Sequence, residues 1–159
     1  MCDTGKPPAV PPAGWAGPAS AGAGAAAGAD AGLSSSGAAL AAIRTGLAYL
    51  NAADAGSMSA GEQAQCLREL ERAEAGHTAA RARVLAAFTV QGGFEDDGQG
   101  GARSWLKWQT RVTGGAAAGA VGWMKRLDAH PAAGRALAAG TVSASWARER
   151  SAAAQRWLN

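Results

Sequence analysis

The stretch RALAAGTVSASWARER, Arg135 to Arg150, contains two helix-forming segments separated by Gly-Thr-Val-Ser. Alanine, leucine and arginine favour helix on both sides of this interruption. Glycine readily adopts the left-handed conformation that ends a helix, and serine accepts a hydrogen bond from the free amides of a following helix. The stretch therefore predicts a helix–turn–helix corner, in which Gly140 ends one helix, Ser143 caps the next and Trp146 is buried one turn later.

A second corner of the same type is predicted upstream. Ser104 is expected to cap a tryptophan-rich helix, and Thr113 to cap the helix after it. The inner face of that second helix is expected to consist of Val121, Met124 and Leu127. His130-Pro131 ends it, because the residue before a proline avoids helical geometry, and a short helix follows from Pro131 to Ala139.

Two longer helices are predicted before these corners. The first starts near Ser36, its expected N-cap, and carries an apolar face of Leu40, Ile43, Leu47 and Leu50. The second starts at Ser59, which has capping-box spacing to Glu62, and ends near Gly92-Gly93. Its apolar stripe is expected to be Cys66, Leu70, Ala73, His77, Ala80, Val84 and Phe88. Together the two helices predict an antiparallel hairpin with a coiled-coil-like seam.

The predicted fold class is all-α: a helical hairpin with a long second helix, followed by short helices that form two helix–turn–helix-like corners. Residues 1–36 are rich in Pro, Gly, Ala and Ser and predict a disordered leader, and residues 37–159 a helical domain. The start of the chain lacks the pattern of a signal peptide, and no window is apolar enough for a membrane span. Cys2 and Cys66 are not expected to form a disulfide, which suits a cytoplasmic protein.

The charge is distributed unevenly along the chain. Up to Asp97 there are six Lys or Arg and ten Asp or Glu, whereas from Gly98 onward there are nine Lys or Arg and two acids. A basic half on a chain with a net charge of +3 favours a polyanionic partner, although a solvated arginine-rich surface explains the same pattern. The candidate phosphate contacts are Arg111, Lys125, Arg126, Arg148 and Arg150.

Tryptophans of the same half allow two interpretations. Trp105, Trp108, Trp123, Trp146 and Trp157 could form a stacking platform for single-stranded nucleic acid. Most of them are instead expected to fill the core, because alanine-rich helices need large side chains to close against.

Catalysis finds little support in the sequence. His77 is expected to be a buried core histidine, and His130 lies in a turn before a proline. There is no Ser/His/Asp set, no phosphate-cradling glycine loop and no zinc-ligand spacing. The three acids Glu95 to Asp97 do not have the spacing of an EF-hand. No catalytic residue, metal, cofactor or small-molecule substrate is expected.

The segment Ser104 to Glu149 resembles the family catalogued as domain of unknown function 222, also called the 13E12-repeat type. Such members show a Trp-Leu helix, a Ser/Thr-capped helix that ends near Leu-x-x-x-Pro, and an ALAAG corner followed by a capping serine. The matching residues are Trp105-Leu106, Thr113, Leu127 to Pro131, and Ala136 to Ser143. The resemblance covers roughly residues 37–159.

The resemblance implies an all-helical region of the kind that usually precedes an HNH nuclease module. This chain carries no HNH motif before Asn159, so a C-terminally truncated, non-catalytic product is expected. The first functional hypothesis is a module that associates with double-stranded DNA through the basic half and the helix that begins at Ser143. The alternative is a protein-interaction or scaffolding domain that self-associates through the long helix.

Overall fold

The computed structural model describes the backbone of residues 35–156 and the side-chain surroundings of residues 35–150. The predicted leader therefore lies almost wholly outside the described residues. Within that part of the chain there are six α-helices and a short 3₁₀ turn, Ala55–Ser57. The helices are α1 (Ser36–Ala52), α2 (Ala60–Val90), α3 (Ala102–Gln109), α4 (Gly114–Ala129), α5 (Pro131–Ala138) and α6 (Ala144–Arg156).

Helix starts follow the local sequence closely. Ser59 and Glu62 form the predicted capping box, in which the Glu62 amide donates to Ser59 Oγ and the Ser59 amide donates to Glu62 Oε2. Thr113 accepts from the Ala116 amide at 3.2 Å and so caps α4 as predicted. The first helix is capped by Ser35 and not by Ser36, since the Ser35 hydroxyl accepts from the Ala38 amide.

The predicted cap of α3 is wrong. The helix begins at Ala102, after Gly101, so Ser104 lies inside its first turn. No side chain caps this helix. Its start is fixed instead by burial, because Ala102 and Leu106 are both buried one turn apart and hold the helix against its neighbours.

The inward face of α2 differs from the predicted stripe. Its buried residues are Ala75, Ala79, Ala82 and Leu85. In contrast, Leu70 is 40% exposed, Val84 is 70% exposed and His77 is also exposed. The predicted stripe therefore points outward between Leu70 and Val84, whereas Phe88 at its end is half-buried and packs against buried residues. The reason is that α2 packs against α4 and α5 through small side chains, which allow close approach of the helices.

Two hydrophobic clusters hold α2 to α6 together. The first cluster joins α2, α4, α5 and α6 and contains Ala75, Ala79, Ala82, Trp123, Leu137, Ala144 and Ala147. The second joins α2, α3 and α4 and contains Leu85, Ala102, Leu106, Ala117 and Ala120. Most of these residues are alanine, as expected of a thin core built helix on helix, and Leu137 is the largest fully buried side chain among the described residues.

The inner face of α4 is likewise smaller than predicted. Ala117, Ala120 and Trp123 are the buried residues of this helix. The three predicted residues, Val121, Met124 and Leu127, are half-buried and pack at the edges of the two clusters. They contribute to the core but do not lie at its centre.

The corner at residues 135–150 forms as predicted at its backbone. Gly140 has φ of +64°, and the Ser143 hydroxyl accepts from the Trp146 amide at 3.2 Å. The prediction that Trp146 is buried is wrong, since 49% of its surface is exposed. Ala144 and Ala147 are the α6 residues that face the core, and Trp146 lies on the opposite side of the helix.

The loop between α2 and α3 is organised by aromatic contacts. Phe88 and Trp105 pack with ring centroids 4.5 Å apart, and the Trp105 indole N–H donates to Asp97 Oδ2 at 2.6 Å. A side chain at Gly93 would collide with Phe88, since its Cβ would lie 2.5 Å from that ring. The carboxylate of Asp97 thus fixes the tryptophan that closes the second cluster.

The all-α class is confirmed, with the long second helix and both corners present. The chain divides into two compact units at Asp54–Ala55, so α1 belongs to one unit and α2 to α6 belong to the other. The antiparallel pairing of the first two helices remains a prediction. No helix among residues 35–156 combines the length and apolar character needed to cross a membrane.

A cationic cleft as candidate functional site

A cleft of about 600 Å³ opens within the second unit, between α2, α4 and α6. The α2 wall carries Glu74, His77, Thr78, Arg81 and Ala82. Arg148 of α6 contributes to the cleft as well. The α4 wall carries Gly115, Ala116, Gly119, Ala120, Gly122, Trp123 and Arg126.

Glycines give the cleft its width on the α4 side. Gly115, Gly119, Gly122 and Arg126 are spaced four, three and four residues apart, so they share one face of the helix. A Cβ atom added at Gly119 or Gly122 would meet nothing within 4 Å. Packing therefore does not require glycine at these two positions. Their effect is to leave room beside Trp123.

Two arginines from different helices meet at the Trp123 ring. The Cζ atom of Arg126 lies 4.9 Å from the ring centroid, and that of Arg148 lies 5.6 Å from it. Trp123 is itself buried and belongs to the first hydrophobic cluster. The ring attracts both guanidiniums through its quadrupole and holds them at the edge of the core.

The positive charge of the cleft is not neutralised by neighbouring carboxylates. Arg81, Arg126 and Arg148 line it together with a single acid, Glu74. Among the described residues, none of these three arginines has a carboxylate oxygen within 4.0 Å. The first turn of α4, at Gly115 and Ala116, also lines the cleft and adds the positive end of the helix dipole.

The structure brings only part of the predicted phosphate-contacting set together. Arg126 and Arg148 share the Trp123 ring, whereas Arg150 stacks on Trp146, with its Cζ 5.2 Å from that ring. Arg111 and Lys125 are exposed and do not line the cleft. Arg111 has φ of +53°, a conformation uncommon for a residue other than glycine.

Sequence reasoning missed the contribution of α2 to this site. Arg81 is not among the predicted phosphate contacts, and His77 is predicted to be a buried core residue, but both line the cleft. His77 and Arg81 are four residues apart and therefore share a helix face. That spacing was visible in the sequence, but its relation to the basic half depends on which face of α2 packs inward.

The tryptophans divide between core and surface. Trp123 is buried and Trp105 is half-buried, as core residues should be. Trp108 is 65% exposed, so it does not fill the core, and the same holds for Trp146. Trp157 lies outside the described residues. The expectation that most of them act in the core is thus wrong for these two.

Residues that hold a metal would need to gather in one place. In the described part of the chain, no group of three or more His, Cys, Asp or Glu residues is placed to bind a metal ion. Cys66, which is half-buried, is a free thiol. The polar and aromatic side chains that line the cleft are those of arginine, histidine, threonine, glutamate and tryptophan.

A scan against protein-family models and searches of curated proteins and of solved structures find no match to this chain. The resemblance to the domain of unknown function 222 family stays an expectation from the motifs of residues 104–149.

Proposed function

We propose that this chain provides a non-catalytic helical module that associates with double-stranded DNA through contacts to the phosphate backbone. The observation that carries the proposal is that the basic side chains predicted to contact phosphate are not paired with carboxylates among the described residues. Arg111, Lys125, Arg126, Arg148 and Arg150 have no carboxylate partner within 4.0 Å among the described residues. All except the half-buried Arg126 are exposed.

The position of α6 supports the same proposal. Its core-facing residues, Ala144 and Ala147, leave Trp146 and Arg150 on the solvent side. A helix that follows a tight corner and keeps one face free can approach a groove of DNA. The resemblance to helical regions that precede HNH nuclease modules agrees with a partner of this kind.

Titration of a duplex against salt tests the proposal. If all five cations contact phosphates, the logarithm of affinity should fall with the logarithm of salt concentration with a slope of about −4.5, which is ~500-fold between 50 and 200 mM. An affinity that does not change with ionic strength, or no binding at the lower salt concentration, would contradict the proposal.

A charge-reversal pair sharpens the experiment. Arg148→Glu with Arg150→Glu should lower duplex affinity by roughly 100-fold at low salt, because two attractive contacts become repulsive. The matched control is Arg44→Glu with Arg83→Glu, two exposed arginines of the acidic half that undergo the same change of charge. Equal losses from both pairs would indicate a general charge effect without a binding face.

A second candidate function is self-association through α2. Residues 66, 70, 73, 77, 80 and 84 alternate four and three apart, which is the spacing of a coiled-coil seam. On this seam Leu70 is 40% exposed and Val84 is 70% exposed. We propose a second copy of this chain as the partner.

Light scattering tests this second function. The chain should scatter as a dimer, and Leu70→Glu should convert it to a monomer because it places a charge in the apolar seam. Val90→Glu makes the same kind of change at an 88% exposed position outside the seam and should leave the dimer intact. A monomeric wild-type chain would rule the dimer out.

A further inference from the structure

Arg81, Arg126 and Arg148 reach the cleft from three different helices, α2, α4 and α6. Like charges that line one cleft repel one another. The Trp123 ring offsets part of this cost for Arg126 and Arg148, but Arg81 makes no such contact in the described part of the chain. An anion that enters the cleft would relieve the repulsion of all three.

The size of the cleft and its hydrogen-bond donors indicate which class of anion it can bind. A volume of about 600 Å³ lies within the range of small-molecule sites and is too small to admit a DNA duplex. Guanidinium groups present paired N–H donors that match the oxygens of a phosphate. Three of them from separate directions suit a terminal phosphate, which exposes three oxygens, better than a bridging phosphodiester.

We propose that the cleft between α2, α4 and α6 is a binding site for a phosphomonoester group, held by Arg81, Arg126 and Arg148. His77 and Thr78 line the same cleft and supply further hydrogen-bonding groups. The bare α4 face at Gly119 and Gly122 leaves space for the organic part of the ligand. Arg126 and Arg148 belong both to this site and to the proposed duplex surface, whereas Arg81 belongs to this site alone and therefore separates the two proposals experimentally.

Calorimetric titration of the full chain with adenosine 5′-monophosphate tests the proposal, with adenosine as the ligand that lacks the phosphate. We expect the monophosphate to bind with a Kd of about 0.1–1 mM and adenosine not to bind detectably. Absence of binding by the monophosphate up to about 10 mM would overturn the proposal. Equal binding of the two ligands would overturn it as well.

Two variants locate the site. Arg81→Gln should weaken monophosphate binding at least ~10-fold because it removes one charge-assisted contact. Its matched control is Arg83→Gln, an exposed arginine on the same helix that does not line the cleft. Gly119→Leu should abolish binding by filling the cleft. Its Cβ would meet no atom within 4 Å, and circular dichroism checks that the variant is folded. Equal effects of the two arginine variants would overturn the proposal, and so would normal binding by folded Gly119→Leu.

The source of the phosphate is distinguished with a short duplex that carries either 5′-phosphate or 5′-hydroxyl ends. A preference for phosphorylated ends that Arg81→Gln removes would assign the site to DNA termini. Equal affinity for both duplexes, together with monophosphate binding, would assign it to a free phosphorylated small molecule. If the duplex proposal is wrong and the phosphomonoester proposal is right, neither duplex will bind and the monophosphate will still bind.

Discussion

Gly140 combines two separate demands at one position. Its φ of +64° lies in the left-handed region, and a Cβ atom there would lie 3.1 Å from the Cβ of Arg72 on α2. The corner between α5 and α6 therefore depends on glycine both for its backbone conformation and for its close approach to the long helix. The first demand can be read from the ALAAG sequence. The second depends on Arg72, which is 68 positions away in the chain.

A pair of alanine substitutions separates these demands. Gly98 also has a positive φ, +67°, but a Cβ atom there would meet nothing within 4 Å. Gly98→Ala should cost about 1 kcal/mol of unfolding free energy from backbone strain alone. Gly140→Ala should cost roughly 2–3 kcal/mol, because overpacking against Arg72 is added to the strain. Urea denaturation measures both values, and equal losses would show that the contact with Arg72 is easily relieved.

At the level of the helices, the first residue of a helix could be predicted from the sequence where a side chain caps the helix. It could not be predicted where packing against other helices fixes the start. Ser59, Thr113 and Ser143 were identified correctly because a cap is a contact within three or four residues. The inward face of α2 was not identified correctly, because alanines occur around most of that helix. The larger Leu70 and Val84 gave a stronger periodic signal than Ala75 and Ala79, although the smaller residues form the contact.

Removing the α2 cap should weaken the molecule by a predictable amount. Ser59→Ala leaves the Glu62 amide without its partner and should cost about 1 kcal/mol of unfolding free energy. Thermal denaturation followed by circular dichroism measures the loss. A variant as stable as the wild type would mean that the first turn of α2 frays without affecting the core.

The same cap gives a pH dependence with a defined sign. Hydrogen bonds from the Ser59 side chain and the Ser59 amide lower the pKa of Glu62 below its ordinary value of 4.5. The folded state thus favours the carboxylate, so this stabilisation is present above the pKa of the unfolded chain and is lost as the pH falls through the folded pKa. Glu62→Gln should therefore lose less stability than the wild type on acidification below about pH 4.5. A Glu62→Gln variant that loses as much stability as the wild type over this pH range would contradict the linkage.

On the scale of the whole molecule, the sequence contained the fold class and the charge asymmetry but not the cleft. Helix content, helix order and the basic half follow from composition and spacing. The cleft arises where Arg81, Arg126 and Arg148 converge from three helices, and this requires the packing angles of α2, α4 and α6. Two of the five predicted cations, Arg126 and Arg148, lie in it. Arg111, Lys125 and Arg150 do not line the cleft, which shows that membership in the basic half does not determine where a side chain lies.

The alanine-lined contacts of α2 have a consequence for alignment of the helices along their axes. A surface of near-identical methyl groups changes little when one helix slides past another by a single turn, about 5.4 Å. Trp123 and Leu137 are the large side chains of the first cluster. In a close-packed interior, a side chain of this size is expected to be accommodated poorly when a helix shifts along its neighbour. Replacing either with alanine would let misaligned arrangements compete with the native one, so these two residues specify the register that the alanines leave open.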